Sequence, residues 1–499
     1  MIQVELQFEK TRIPCLKPVM RQVQNLEQTQ ELRIPEGMPG AAEILGCWGQ
    51  AVLRSKEWDA DTLSATGGVM VWVLYAPEDG GEPRKLESWV PFQTRWDLPA
   101  DWHEGHARVI CMLRFADART VTPGKLMLRV GIGMLAEGWT SEECYFYKCP
   151  EESGNVELLR RSYPLRLRRE AGEKPFRIEE ELTLPTSAPQ PDKILYYQLN
   201  PQVGELKVLG GRLVFRGCAD LHLMYHSEEG KIHTWDFEIP FSQFADLQEQ
   251  LSQEARGDIQ ITATNLELDL DDEGKLNLKA AMTAQYLLDD RQMVQIAEDG
   301  YCPGKELELR TESVSLPILL ESRQNMLRLQ IPLPEEAAEV TDVCVLRDFP
   351  RLRMNEGSVT VELSGVCYIL YCSDKGNLQS RMHRWEGKCE LPSDQKDALE
   401  AMSAGIVRLH TGQGSIIEGE IPVEITASVQ QEFTMIREAS PGGEIQRLPD
   451  RPSLILCRAT GNSLWELAKR SGSAMDAIRS ANGLEGDPTP NQILLVPVL

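Results

Sequence analysis

Long apolar runs are missing from this chain: no segment approaches the ~20 consecutive apolar residues of a membrane-crossing helix. Basic residues are in deficit, with 52 Lys and Arg against 76 Asp and Glu and a formal net charge of −24. A surface of that sign repels phosphate backbones and anionic lipid, so neither nucleic acid nor direct membrane insertion is expected. Twelve cysteines are present but none forms a C-x-x-C pair. The opening "MIQVELQFEKTRIP" has acidic residues where a secretory leader would be basic and then apolar. Together these lead to the expectation of a reducing compartment in which the thiols are buried and structural. Also missing are G-x-S-x-G, a phosphate-cradling G-x-x-x-x-G-K-[ST] loop and the zinc-binding H-E-x-x-H. "GIGMLAEG" at 131–138 begins like a dinucleotide loop, but Ala136 stands at the third glycine position and no βαβ pattern surrounds it. "DLDDEG" at 269–274 begins like a calcium loop, but its twelfth position, which should supply a bidentate Glu, is Ala280. No catalytic residue, cofactor or metal ion is expected.

What is present is strand pattern, repeated. Apolar residues at 42% and charged residues at 26% fit a folded chain, and 499 residues favour three or four domains over one. Three segments align: "GVMVWVLYAPEDGG" (68–81), "CADLHLMYHSEEGK" (218–231) and "GVCYILYCSDKGN" (365–377). Each runs to a tyrosine (Tyr75, Tyr225, Tyr371) and then through an acidic turn to a glycine five residues on (Gly80, Gly230, Gly376). Acidic residues before Gly between β-rich runs signal a hairpin, because Gly accepts the positive φ of the turn. About 40 residues upstream a proline ends an apolar strand in each segment, at Pro35, Pro185 and Pro332. Downstream, second turns fall at Gly124, Gly274 and Gly414. The expected architecture is mainly β: three tandem antiparallel β domains, sandwiches or barrels, over 1–153, 154–304 and 305–437. Acidic "SQFADLQEQLSQEARGD" (242–258) leaves room for a short helix. The N-terminal strands of the three units are candidates for pairing across domain boundaries.

His222, His226 and His233 cluster around the second hairpin, with His222 and His226 on one strand face. Three imidazoles could ligate zinc, but the other two segments carry Trp72 and Tyr368 opposite His222. Polar decoration of a solvent face is the expected role.

"REASPGGEIQRLPDRPS" (437–453), rich in Pro, Gly and charge, reads as a flexible linker, placed at 438–452. Residues 453–499 then read β-α-α-β. Ser463 caps the first helix with Glu466 three residues on, Leu464, Leu467 and Ala468 form its apolar face, and Gly472 is placed as its C-terminal cap. The second helix, with Ile478 inward, stops at Asn482-Gly483. "GNSLWELAKRSG", "AIRSANGL" and "PNQILLVP" make this module resemble a LysM domain, with Asn462 where Asp is usual and Arg458 where an apolar residue is common. The repeats, with "IPFSQF" (239–244) and "VPFQTRW" (90–96), resemble the SPOCS domain of sporulation coat proteins, the third carrying "WEGKCELP" instead.

SPOCS domains followed by one LysM domain resemble a family of spore coat morphogenetic proteins of spore-forming Firmicutes. The resemblance implies a non-enzymatic scaffold in the mother-cell cytoplasm, at the forespore surface. It would bind a SpoIVA-like coat ATPase and other coat proteins and support encasement by the coat. It places the contact on two LysM loops, Gly461, Asn462, Ser463, Leu464 and Trp465 in one and Asn482, Gly483 and Leu484 in the other. For Leu464 and Trp465, helix-to-sheet packing competes with that role. The alternative is a module that binds N-acetylglucosamine glycans of cortex or cell-wall peptidoglycan.

Overall fold

The computed structural model describes residues 6–59, 61–99, 105–319, 323–356, 358–392, 399–403, 408–411, 416–445, 452–459 and 463–498. It is mainly β, 76% strand and 4% helix. No described helix is long and apolar enough to cross a membrane.

In chain order the first strands are β1 (Leu6–Gln7), β2 (Glu9–Arg33), β3 (Ala41–Asp59), β4 (Thr62–Pro77), β5 (Arg84–Asp97), β6 (His106–Thr122) and β7 (Lys125–Lys148). From β2 to β7 they make two antiparallel sheets, ordered β3-β4-β5 and β2-β7-β6. Next come β8 (Glu157–Leu182), β9 (Pro191–Leu209), β10 (Arg212–Ser227), β11 (Ile232–Asp246), β12 (Arg256–Leu270) and β13 (Leu276–Tyr301), ordered β9-β10-β11 and β8-β13-β12. The third set is more broken: β14 (Lys305–Leu319), β15 (Arg323–Pro332), β16 (Ala337–Arg347), β17 (Arg351–Asn355), β18 (Ser358–Ser373), β19 (Leu378–Pro392), β20 (Leu399–Ser403), β21 (Arg408–Thr411) and β22 (Ile416–Glu444). Here β16 and β17 share one edge of β18 while β19 takes the other, and β14, β15, β20 and β21 all pair with β22.

Sequence period explains the layering. Alternating residues such as Leu213, Phe215, Ala219, Leu221 and Leu223 on β10 are fully buried, as a strand with one face on a core requires. The turn glycines do what their position demands: Gly80, Gly230 and Gly376 have φ of 71°, 80° and 79°. Tyr75 and Tyr225, both buried, each donate from the phenol to a carbonyl 36 residues upstream, Pro39 and Pro189, at 3.1 Å. Tyr371 instead donates to the Glu336 carboxylate.

Two expectations are corrected and one holds. Pro332 does end β15; two residues on, the Pro334 carbonyl accepts from Ala337 N–H as Pro35 accepts from Met38 and Pro185 from Ala188. Residues 242–258 hold no helix: β11 runs to Asp246, an irregular stretch follows, and β12 starts at Arg256. The linker begins later than its composition indicates. β22 continues to Glu444, pairing Leu307 with Pro441 and Lys305 with Glu444 across a register shift, so partner strands override the local Pro-Gly signal. The turn at Gly414 lies outside the described residues.

The long strands β2, β7, β8, β13, β14 and β22 extend beyond the sheets and meet in a second apolar core. Ile13 and Phe146, Leu165 and Ile296, and Val314 and Met435 contribute from the first, second and third sets. At this hub β1 pairs with β22, Leu6 opposite Ala439, on the opposite side from β14, which also meets Ala439 through Leu309. The first and last β segments are thus neighbours.

Contacts between the sets run in a cycle. Trp72 of β4 packs edge-on against Tyr196 and Tyr197 of β9, at 5.5 and 4.8 Å between ring centroids. His222 of β10 reaches Asp342 of β16, and the Tyr368 hydroxyl of β18 donates to the Ala116 carbonyl of β6 at 2.6 Å. All three sets line a central cavity of about 1140 Å³.

Candidate interaction site

The end module is built from β23 (Leu454–Arg458), α1 (Leu464–Ser471), α2 (Met475–Asn482) and β24 (Ile493–Pro497), with β23 and β24 antiparallel. Ser463 is the N-cap of α1, and its side-chain oxygen accepts from Glu466 N–H at 3.4 Å, satisfying one of the donors a helix start leaves open. Gly472 ends α1 in the left-handed region at φ 64°, where a Cβ would be strained. Leu464, Leu467, Ala468 and Ile478 are buried with Leu494 and Val496 of β24, so the two helices cover one face of the two-stranded sheet. The other face is open: Leu454, Leu456 and Ile493 are 48%, 72% and 61% exposed.

The eight nominated residues divide by environment. Gly461 and Asn462 lie outside the described residues. Leu464 and Trp465 are buried in the module's core. Ser463 and Gly483 are exposed, while Asn482 and Leu484 are half-buried. Asn482 clamps α2 to β24, its amide donating to the Ile478 and Leu495 carbonyls at 2.8 and 2.6 Å and its oxygen accepting from Leu495 N–H at 2.7 Å. The two loops are tied by Asp487, whose carboxylate accepts from Leu464 N–H at 3.0 Å.

The module does not hang free. Trp465 packs edge-on against Tyr301 at the end of β13, with ring centroids 5.0 Å apart. The buried Tyr301 hydroxyl donates to the Ser473 carbonyl at 2.8 Å, Lys469 Nζ lies 2.5 Å from Asp299 Oδ2, and Glu157 of β8 accepts from Met475 N–H at 3.3 Å. Burial holds the Glu157 carboxyl above its ordinary pKa. A head that samples partners freely from a flexible linker is therefore replaced by one seated on the second set. Sequence reasoning missed Asp299, Tyr301 and Glu157, which lie 170 residues or more from their partners, where local patterning carries no signal.

The histidines are not solvent decoration. His222 Nδ1 lies 2.6 Å from Asp236 Oδ1 and Nε2 3.0 Å from Asp342 Oδ1, so this strand face looks onto β16 rather than onto water. Burial alone would lower the imidazole pKa; hydrogen bonds to the two carboxylates, and their charges, outweigh it and hold it up at about 10. His226 is buried near Glu82 and Asp192, each at 3.7 Å, and His233 packs against the Tyr225 ring. The three do not converge: among the described residues no group of three or more His, Cys, Asp or Glu is placed to hold a metal ion. DLDDEG is a turn in which Asp271 accepts from Glu273 and Lys275 N–H, and GIGMLAEG lies within β7.

No curated protein and no solved structure matches the chain. A family model does: residues 190–271 match the model described as SipL, SPOCS domain. The matched span starts beside β9 and ends just beyond β12, so it takes in the meander that carries His222 and the strand that follows it. By that match residues 190–271 are similar to the SPOCS domain of the SipL family, a similarity that points to a sporulation-related protein.

Proposed function

We propose that this chain is a non-enzymatic sporulation scaffold with three tandem SPOCS-like domains and a C-terminal LysM domain. It binds a SpoIVA-like coat ATPase and other coat proteins at the forespore surface, on the mother-cell side, and supports encasement by the coat. The observation that carries this reading is the SPOCS match over residues 190–271. The similar strand orders of the three sets support extending it to the segments on either side, and the β-α-α-β order of residues 454–497 supports the LysM assignment. The contact is placed on the two end-module loops, of which Ser463 and Gly483 are exposed.

The test compares the full chain with one ending at Pro452, in parallel binding to a purified SpoIVA-like ATPase and to insoluble peptidoglycan. Circular dichroism checks that the shortened chain keeps its β body. Binding of the full chain to the ATPase, lost on truncation, is the expected result. Retention by peptidoglycan alone would replace the scaffold with a glycan-binding protein. Undiminished ATPase binding by the shortened chain would move the contact onto the β body.

A further inference from the structure

Among the groups outside the end module, two thiols stand out by geometry. Cys15 on β2 and Cys144 on β7 place their sulfur atoms 2.7 Å apart, both within the apolar hub where the long strands meet. The ladder explains the approach. Cys144 pairs with Ile13 and Cys15 with Glu142, so the two cysteines sit two positions apart on neighbouring strands and point to the same side of the sheet. The sulfur atoms already stand close to the bond length of about 2.05 Å.

We infer that Cys15 and Cys144 are a dithiol site that closes to a disulfide on exposure to a peroxide. The two thiols are not equivalent. The hydrogen bond between them lowers the pKa of Cys15 and raises that of Cys144, which burial raises as well. Cys15 gives up its proton more readily than Cys144 and is the first nucleophile, because the thiolate is the reactive form. It attacks one oxygen of hydrogen peroxide; the O–O bond breaks, the departing hydroxide takes up a proton to become water, and Cys15 is left as a sulfenic acid. Cys144 then loses its proton and attacks that sulfur; the S–O bond breaks, the S–S bond forms, and a second water leaves. Two thiols and one peroxide give one disulfide and two waters, with the peroxide taking both electrons. A small oxidant suits the site, since Cys15 is 3% and Cys144 8% exposed.

Other buried thiols offer a contrast. Burial raises Cys47 and Cys344, which keeps them protonated and slow. The bond would staple β2 to β7 close to where β1 pairs with β22, fastening the start of the chain into the hub.

The experiment uses the reduced, folded full chain. It is treated with hydrogen peroxide, quenched with catalase, and its thiols are counted after denaturation. The count is expected to fall from twelve to ten, with a non-reduced peptide map showing Cys15 joined to Cys144. Cys144→Ser is expected to stop at the sulfenic acid and to take up dimedone at Cys15, whereas Cys15→Ser takes up none at Cys144. An unchanged count in the wild-type chain, a linked peptide holding a different pair, or a sulfinic acid at Cys15 in place of the bond overturns the inference. Because the count and map are made on the wild-type chain, misfolding of either variant leaves the test intact.

Discussion

The seam between the first and second meanders and the seam between the second and third use the same strand position with opposite chemistry. Trp72 and His222 each stand three residues before the tyrosine that ends their central strand, and each points at the next set. Trp72 is 2% exposed and meets two tyrosine rings, gaining apolar area and edge-to-face geometry. His222 meets carboxylates on both sides, one of them on buried Asp342. The Trp72 contact is apolar, whereas the His222 contact depends on a proton. A shared backbone geometry fixes where a contact is made and leaves its chemistry free.

The largest effect is expected at the aromatic seam. Trp72→Ala should cost about 3–5 kcal/mol, the range for removing a buried aromatic, seen as a lower urea midpoint at neutral pH. His222→Gln should follow, at about 1.5–3 kcal/mol for a hydrogen bond to a charged group, and its cost should vary with pH. The folded-state pKa is raised from 6.5 to about 10, so the contribution is full below pH 6.5, falls between 6.5 and 10, and is gone above about 10. The midpoint difference between wild type and His222→Gln, measured at intervals from pH 6 to pH 10, should therefore shrink steadily. A difference that stays flat would mean that the imidazole is uncharged and the two seams are alike. Tyr368→Phe, at the third seam, removes the bonds to Ala116 and should cost about 1 kcal/mol. Burial raises the phenol pKa, so this cost should hold level across the same pH range. Smallest is Lys469→Ala at the end-module seat, a half-exposed ion pair worth below about 1 kcal/mol; hydrogen exchange over 464–482 should report slightly faster opening.

The parts of the fold that sequence revealed are those governed by neighbours along the chain. The positive-φ glycines at 80, 230 and 376, the alternation on β10, and the Ser463 and Gly472 caps all follow from local geometry, and local pattern found them. The errors share another cause. Strand alternation assigns His222 to a face but is silent on what covers that face, and here it is β16. "SPGGE" has the composition of a loop, but β14 supplies a pairing partner on one side of β22 and β1 joins it a little earlier on the other. At the candidate site, the helices were legible and the seat on Tyr301 was not, because a lone tyrosine at a strand end has no periodicity to betray its partner.

The pairing of β1 with β22 carries a topological consequence. With the opening strand laid beside the last long strand, the β body has lost the distinction between a beginning and an end. Where the chain is opened then matters little to the packing of its three sets. A rearranged chain that joins Glu444 to Leu6 by a short connector and opens instead at the exposed turn around Gly230 should fold to the same body.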